Sequence, residues 1–161
     1  MSRIQRLLTQ VRPGGALSLL ARLPVPIVRA AWMAGRLPEL ELLVTSPLVE
    51  EIEPQAAIPG VLEGGTVVVK DQLDVAGLRT GVGLPDGGEL AERDAAIVAR
   101  IRAAGGTFLG KAKMTELGMD GLGTMMPYPM PINPRAPGYS PGGSSTGTAV
   151  AVASGLARYG V

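Results

Sequence analysis

The sequence predicts an α/β fold, in which helices connect the strands of a buried sheet. Three stretches carry this prediction: GGTVVVKD at residues 64–71, DAAIVARIRAA at 94–104 and GTFLGK at 106–111. The first and third have the short apolar runs of buried strands, and the second has the spacing of an amphipathic helix. A strand, a helix and a second strand in this order form the unit from which α/β layers are built.

The N-terminal residues predict helices that carry a one-sided charge. Residues 3–35 predict two helical segments, interrupted at RPGG and bent at LPVPIV, because proline lacks a backbone donor. Six arginines and no acidic residue precede Glu39. Such a head can contact an anionic membrane surface, although a solvated helix face is the simpler interpretation. Residues 37–60 predict a connecting stretch.

Composition excludes several kinds of chemistry. With 46% hydrophobic and 18% charged residues, the 161-residue chain is typical of a globular protein. Aromatic residues make up only 3%, so we do not expect stacking on nucleic acid. The absence of cysteine and histidine excludes disulfides, thiolate nucleophiles, the Ser-His-Asp triad and His-ligated metals. Acid–base chemistry near neutral pH would therefore need lysine, a carboxylate or tyrosine.

No segment predicts a membrane span or a targeting sequence. The apolar runs are shorter than the roughly 18 residues that a spanning helix needs. The segment ALSLLA is also too short for a signal peptide. We expect a cytoplasmic protein, with peripheral membrane contact through the basic N-terminal helices as an option.

Within the predicted α/β unit, the helix over 94–104 has clear boundaries. Asp94 is expected to cap its N-terminus, and Gly105 to end it in a left-handed conformation. The apolar residues expected on one face are Ile97, Val98 and Ile101.

The segments around this unit predict loops and two further helices. Residues 74–88 are expected to form a loop, and MTELGM at 114–119 a short helix. A loop rich in proline and methionine follows. Residues 145–157 then predict a helix whose small side chains allow close approach by neighbouring backbone.

One stretch has most of a phosphate-binding loop pattern. Gly105, Gly110 and Lys111 have the spacing of a Walker A motif, but Ala112 stands where the Mg²⁺-binding hydroxyl belongs. The glycines here also end a helix and start a strand, the reverse of the order in a phosphate-binding loop. We therefore interpret this stretch as a helix end followed by a strand.

The stretch PGGSSTGTA at 141–149 allows three interpretations. Its glycines could open a helix N-terminus onto a phosphate, as in a small-molecule kinase. One of its serines could be catalytic and held in a tight turn. It could also be a plain helix cap, although a cap needs one hydroxyl and no preceding Gly-Gly.

Lys70 ends the apolar run TVVVK. A lysine at this position commonly extends into solvent from the end of a strand. If the strand end is buried, however, loss of hydration lowers the pKa of the amine and makes it available as a base. In a chain without histidine, such a lysine is the group suited to deprotonate a serine, and Ser-Lys pairs are known catalytic arrangements.

Several motifs together resemble the amidase signature family, and the resemblance covers residues 60–161. Lys70 and Ser144 have the family's order and its separation of 74 residues. The resemblance implies part of an α/β/α layered domain with a mixed central sheet, incomplete in this chain, at residues 59–161, after an N-terminal helical segment and connector at 1–58. The stretches that carry it are VVVKDQLDVAGL, DAAIVARIRAAGGTFLGKAKMTELGM and NPRAPGYSPGGSSTGTAVAVASGL.

The resemblance also implies roles for single residues. Lys70 would be the catalytic lysine, and Ser144 the bridging serine, whose peptide bond is cis in the family. Departures are mild: Gln72 stands where the family often has asparagine, and SSTGT replaces SSGGS. No metal or cofactor is implied. The supporting residues would be Ser145, Gly142 and Gly143, and those beside the substrate pocket Met119, Gly118 and Asp120.

The activity that the resemblance implies is hydrolysis of an amide, either small or lipid-like, through an acyl-enzyme. The family's nucleophile is a further serine in a Gly-Gly-Ser turn about two dozen residues after the bridging serine, whereas only 17 residues follow Ser144 here. We therefore expect this chain alone to be inactive. The alternatives are a non-catalytic amidase-like binding module and a phosphate-binding kinase. A homodimer is a further option.

Overall fold

The structure, a computed structural model, describes residues 46–161 except residues 54, 57, 85 and 86. The N-terminal helices predicted over residues 3–35 lie outside the described residues. So does most of the segment predicted at residues 1–58, and its boundary stays a prediction. The described strands are β1 (Leu48–Glu51), β2 (Thr66–Lys70), β3 (Arg79–Thr80), β4 (Glu89–Leu90), β5 (Thr107–Ala112) and β6 (Tyr159–Gly160); the helices are α1 (Ala96–Ala103) and α2 (Thr146–Ala153), with a 3-10 turn at Glu116–Gly118.

Four strands form a mixed sheet in the order β1-β5-β2-β6. β2 pairs in parallel with both β5 and β6, whereas β1 pairs antiparallel with β5. The crossover from β2 through α1 to β5 is the βαβ unit that the sequence predicts. The α/β class and the mixed sheet are thus confirmed.

Two short pairings lie in segments predicted to be irregular. β1 falls within the predicted connector at residues 37–60, and its LVEE sequence is too short and too acidic to signal a strand. Arg79 and Thr80, in the predicted loop, pair antiparallel with Leu90 and Glu89. The predictions of a pure connector and a pure loop were wrong at these strands, because long-range pairing leaves no local periodicity at such lengths.

The side chains of β2 alternate between two buried clusters. Val67 and Val69 pack with Val98 of α1, whereas Val68 packs with Ala151 of α2. Because successive strand residues point to opposite faces, α1 and α2 cover opposite faces of the sheet. Lys70, two residues beyond Val68, therefore shares the face that α2 covers.

Helix α1 is confirmed with two corrections. Asp94 makes no capping hydrogen bond; its carboxylate instead accepts the N–H of Ala76 at 2.8 Å and pairs with Arg102 at 2.8 Å. These partners come from a distant loop and from two turns along the helix, so tertiary contact outcompetes the cap. Ile97 is 47% exposed, and Val98 is the residue that is fully buried. Gly105 has φ +89° and ends the helix as predicted.

Helix α2 is shorter than the predicted 145–157 and ends at Ala153. Its glycine, Gly147, lies against backbone: the Gly147 N–H donates to the Lys113 carbonyl at 2.8 Å, and a Cβ there would clash with the Pro47 carbonyl. The predicted close approach of backbone is therefore confirmed. Among the described residues, neither helix has the length and hydropathy that a bilayer-spanning segment needs.

Candidate active site

Lys70 is held at the end of β2. Its N–H donates to the Val161 carbonyl at 2.6 Å, and its carbonyl accepts the Leu73 N–H at 3.0 Å. The residue is only 9% exposed, so the strand end is buried and the lysine does not extend into solvent. Burial lowers the pKa of its amine below the ordinary value, because loss of hydration disfavours the ammonium form.

Ser144 lies in the turn that enters α2. Gly142 has φ +81°, and the peptide bond between Gly143 and Ser144 is cis. The Gly143 N–H donates to the Gly121 carbonyl at 2.9 Å, and the Thr115 N–H donates to the Ser144 carbonyl at 3.1 Å. The turn is therefore fixed from both sides by backbone hydrogen bonds.

The two predicted catalytic side chains meet. Lys70 Nζ donates to Ser144 Oγ at 2.7 Å across a separation of 74 residues. Within the described part of the chain, Lys70 forms no ion pair. A neutral amine in this position can accept the proton of the Ser144 hydroxyl, and the resulting ammonium group can return it.

Ser145 occupies the N-cap position of α2, but its hydroxyl makes no capping hydrogen bond. Thr146 Oγ1 donates instead to the Gly142 carbonyl at 2.7 Å, which joins the helix to the glycine turn. The interpretation of this stretch as a plain serine cap is therefore wrong. The supporting role predicted for Ser145 stays a prediction.

The three residues predicted beside the substrate pocket have different surroundings. Gly118 has φ +72°, and a Cβ there would lie 3.6 Å from Ser144 Oγ, so the site borders Gly118 directly. Met119 is 80% exposed. Asp120 directs its carboxylate at its own loop, where it accepts the N–H groups of Met125 at 2.8 Å and Leu122 at 2.8 Å.

The hydrogen bonds of Asp120 decide what its carboxylate can do. Backbone N–H donors, Met125 first, hold the pKa of Asp120 below its usual value. Both oxygens are engaged: Oδ1 accepts the Leu122 N–H, and Oδ2 accepts the Met125 N–H and both the N–H and the hydroxyl of Thr124. The carboxylate thus organises the loop. The substrate contact predicted for this residue stays a prediction that this hydrogen bonding does not favour.

Sequence reasoning missed two buried lysines next to the site. Lys111 is fully buried in β5, where its amine pairs with Asp71 at 3.3 Å. Lys113 is 3% exposed, and its amine donates to the Pro129 carbonyl at 3.1 Å. Burial lowers the pKa of Lys113 to about 8. Their burial could have been predicted from the sequence FLGKAKM, in which both lysines lie in or directly after a buried strand and are two residues apart.

The surroundings of Lys111 also settle the phosphate-loop pattern. Gly105 ends α1, β5 begins at Thr107, and the Lys111 amine is enclosed by protein. The interpretation as a helix end followed by a strand is confirmed. Among the residues that the structure describes, no group of three carboxylate, histidine or cysteine side chains could hold a metal ion.

Comparison with known proteins identifies the family. The Amidase family model matches residues 47–161. Over 109 residues the chain is 43% identical to a glutamyl-tRNA(Gln) amidotransferase subunit of Natronomonas pharaonis, covering 66% of this chain and 25% of that protein. It is 42% identical to Amidase 1 of Oryza sativa subsp. japonica, again over 109 residues, with the same coverage of each chain.

Solved structures agree in fold. The 6-aminohexanoate cyclic dimer hydrolase complexed with substrate matches with a TM-score of 0.63 and 27% identity, covering 81% of this chain and 28% of that one. A glutamyl-tRNA(Gln) amidotransferase subunit of Thermotoga maritima matches with a TM-score of 0.65 and 24% identity, covering 85% of this chain and 33% of that one; this likeness concerns the fold alone.

The matched region and the geometry concern the same residues. The range that the family model matches contains β2, β5 and α2. The chain spans about a quarter of the length of the curated relatives. A family model that matches residues 47–161 covers most of the 161-residue chain. The chain belongs to the amidase family.

Proposed function

We propose that the protein hydrolyses amide bonds through an acyl-enzyme, with Lys70 and Ser144 as two members of its proton relay. The observation that carries the proposal is the 2.7 Å hydrogen bond between Lys70 Nζ and Ser144 Oγ at a buried strand end. The family match supports amide chemistry in general. The relatives' names include an amidase, a fatty acid amide hydrolase and part of an amidotransferase, so the substrate class stays at the level of an amide.

In the proposed relay the proton moves towards Lys70 while the nucleophile attacks. Neutral Lys70 accepts the proton of Ser144 Oγ, and Ser144 accepts the proton of a second serine as that serine attacks the amide carbonyl. The relay then returns the proton to the departing amine as the C–N bond breaks. Water attacks the resulting ester, loses its proton to the same relay, and releases the acid and the free serine.

The relay needs an attacking hydroxyl in addition to Ser144. Among the described residues, Ser144 Oγ has one hydrogen-bond partner, Lys70. The family resemblance implies a further serine as the nucleophile. It also implies backbone N–H donors that stabilise the tetrahedral oxyanion, and each such donor contributes about 3 kcal/mol to catalysis. We therefore expect no turnover from the 161-residue chain by itself.

Replacing Lys70 tests the proposal in the full-length protein. Lys70→Ala removes the proton acceptor, so we expect amide hydrolysis to fall by about 100-fold or more. The measurement is kcat/KM on a panel of aryl, short-chain and long-chain amides. The matched control is Lys113→Met, which removes a buried lysine whose amine contacts Pro129 and not Ser144.

The outcomes separate the alternatives. Activity that survives in Lys70→Ala would overturn the relay. A folded full-length protein that binds amides but hydrolyses none of them would favour the non-catalytic module.

A further inference from the structure

A buried ion pair lies directly beside Lys70 in sequence. Lys111 Nζ is 3.3 Å from Asp71 Oδ1, and the two side chains are 0% and 5% exposed. The Asp71 carboxylate also accepts the N–H of Gly81 at 3.4 Å and that of Gly83 at 3.3 Å. The pair is thus enclosed by protein and tied to the loop that follows β2.

The backbone of Asp71 is held as firmly as its side chain. Its N–H donates to the Ala112 carbonyl at 3.1 Å, and its carbonyl accepts the Val82 N–H at 3.2 Å. The same carbonyl accepts from Lys111 Nζ at 3.4 Å, and this amine also donates to the Arg79 carbonyl at 3.0 Å. The residue that follows Lys70 is therefore fixed at both of its peptide groups, partly by Lys111.

Lys70 and the ion pair lie on opposite sides of the strand. Because strand side chains alternate, Lys70 faces α2, and Asp71 and Lys111 face the other way. The Lys70 amine contacts neither charge, and Asp71 is its neighbour along the chain, so any influence of the pair on Lys70 acts through protein. A carboxylate alone at residue 71 would favour the charged form of Lys70, and the buried cation opposes it.

We propose that Lys111 is a positioning residue for Lys70: it fixes the end of β2 and balances the charge of Asp71, so that Lys70 can act as a neutral base. This inference rests on the proposed function. If the ion pair were only structural, it would hold the end of β2 without affecting the titration of Lys70. If it also balances charge, removing either partner shifts that titration.

Other charged groups surround β2, and one of them, Glu50 of β1, interacts electrostatically with both Lys111 and Asp71. Helix α2 contributes no titratable side chain. Titratable groups on the remaining elements around β2 are Glu50 and Glu51 on β1, Asp74 and Arg79 on the following loop, Arg100 and Arg102 on α1, Lys113 after β5, Glu116 and Asp120 near the 3-10 turn, and Arg158 and Tyr159 at β6.

The test reads the titration of Lys70 directly, by NMR of the 13Cε resonances in lysine-labelled protein, with Lys70→Arg to assign the signal. Lys111→Met leaves Asp71 unbalanced, so the Lys70 midpoint rises by roughly 0.5 to 1 pH unit. Asp71→Asn leaves Lys111 unbalanced and lowers the midpoint by a similar amount. The double variant Asp71→Asn/Lys111→Met removes both charges and restores the wild-type midpoint.

Opposite shifts that cancel in the double variant support the inference, and an unmoved midpoint in the single variants overturns it. Asn has the size of Asp and keeps an oxygen for the N–H of either Gly81 or Gly83, so Asp71→Asn decides if Lys111→Met does not fold. The readout does not need turnover. Shifted midpoints in a protein that hydrolyses no amide would leave this inference standing and overturn the proposed function.

In the active full-length protein, the acidic limb of the pH profile of kcat/KM moves with the same sign. Activity rises with pH as Lys70 loses its proton. The limb therefore moves to higher pH in Lys111→Met and to lower pH in Asp71→Asn. Equal losses of kcat with an unmoved limb would identify the pair as structural only.

Discussion

At the scale of single residues, Lys113 is a charged group held away from water without a counter-ion among the described residues. Its amine is almost fully buried and donates to one backbone carbonyl, that of Pro129. Burial lowers its pKa to about 8, from an ordinary value of 10.5. The residue therefore destabilises the folded state at every pH at which the unfolded chain keeps this amine protonated.

The pH dependence of stability follows from this pKa. Below pH 8 the amine is charged in both states and the full penalty, roughly 3 kcal/mol, opposes folding. Between about pH 8 and 10.5 the unfolded state binds more protons, so stability rises with pH. We expect Lys113→Met to be more stable than wild type at pH 7 by up to this amount and to lack the rise.

Urea unfolding at pH 7 and pH 10 measures this difference. Lys113→Arg is the control, because arginine keeps its charge throughout this range and cannot lose the penalty. Lys70 titrates equally in both proteins and cancels in the comparison. A gap between Lys113→Met and wild type that is the same at both pH values would contradict the assignment.

The sequence predicts some of the site residues and not others, for a physical reason. Lys70 could be predicted because it ends a run of valines and because the chain has no histidine to serve as the base. The role of Lys111 depends on Asp71, which precedes it by 40 residues. The saturated carboxylate of Asp120 depends on the local path of its loop. Neither contact leaves a periodic pattern in the sequence.

At the scale of elements, α2 is placed by its first turn. Gly147 lies so close to the backbone of Pro47 and Lys113 that a Cβ would meet heavy atoms of both. In an ordinary helix interior, Gly→Ala stabilises by about 1 kcal/mol. Here the added methyl would force the helix away from β5 and from the turn that carries Ser144.

We therefore expect Gly147→Ala to destabilise the protein by about 1 to 3 kcal/mol, the usual cost of overpacking. Thermal or urea unfolding measures the change. Gly121→Ala is the matched control, because a Cβ at that glycine meets no heavy atom within 4 Å. A more stable Gly147→Ala protein would show that the helix is free to move outward.

The sequence also predicts elements unevenly. β2 and β5 were predictable from their short apolar runs, and α1 from the 3.6-residue spacing of its apolar side chains. β3 and β4 have two residues each, and β1 ends in exposed glutamates. These strands exist because a partner strand supplies their hydrogen bonds, and the partner is distant in sequence.

At the scale of the whole molecule, residues 117–139 carry an unusual number of exposed apolar side chains. Met119 is 80% exposed, Leu122 70% and Tyr139 78%, and all follow the 3-10 turn that borders Ser144. Large exposed apolar patches promote association or binding. The exposed side chains of this segment are Leu117, Met119, Leu122, Met125, Met130, Ile132 and Tyr139.

We expect the 161-residue chain to self-associate through this segment. The double variant Met119→Gln/Leu122→Gln should reduce both binding of an apolar fluorescent dye and concentration-dependent association, measured by analytical ultracentrifugation. Val61→Gln is the control, because Val61 is 93% exposed but lies in a separate turn. A chain that stays monomeric at high concentration, with no dye binding, would argue against the patch.

The contact between Lys70 and Ser144 has a consequence for how competence arises during folding. The contact closes a loop of 74 residues, and closing that loop costs chain entropy. The pairing of the sheet strands and the docking of α2 must offset this cost. Before that assembly, the lysine is hydrated and carries an ordinary proton. The amine therefore gives up its proton readily only in molecules whose sheet and second helix have assembled, and unassembled molecules lack this proton acceptor.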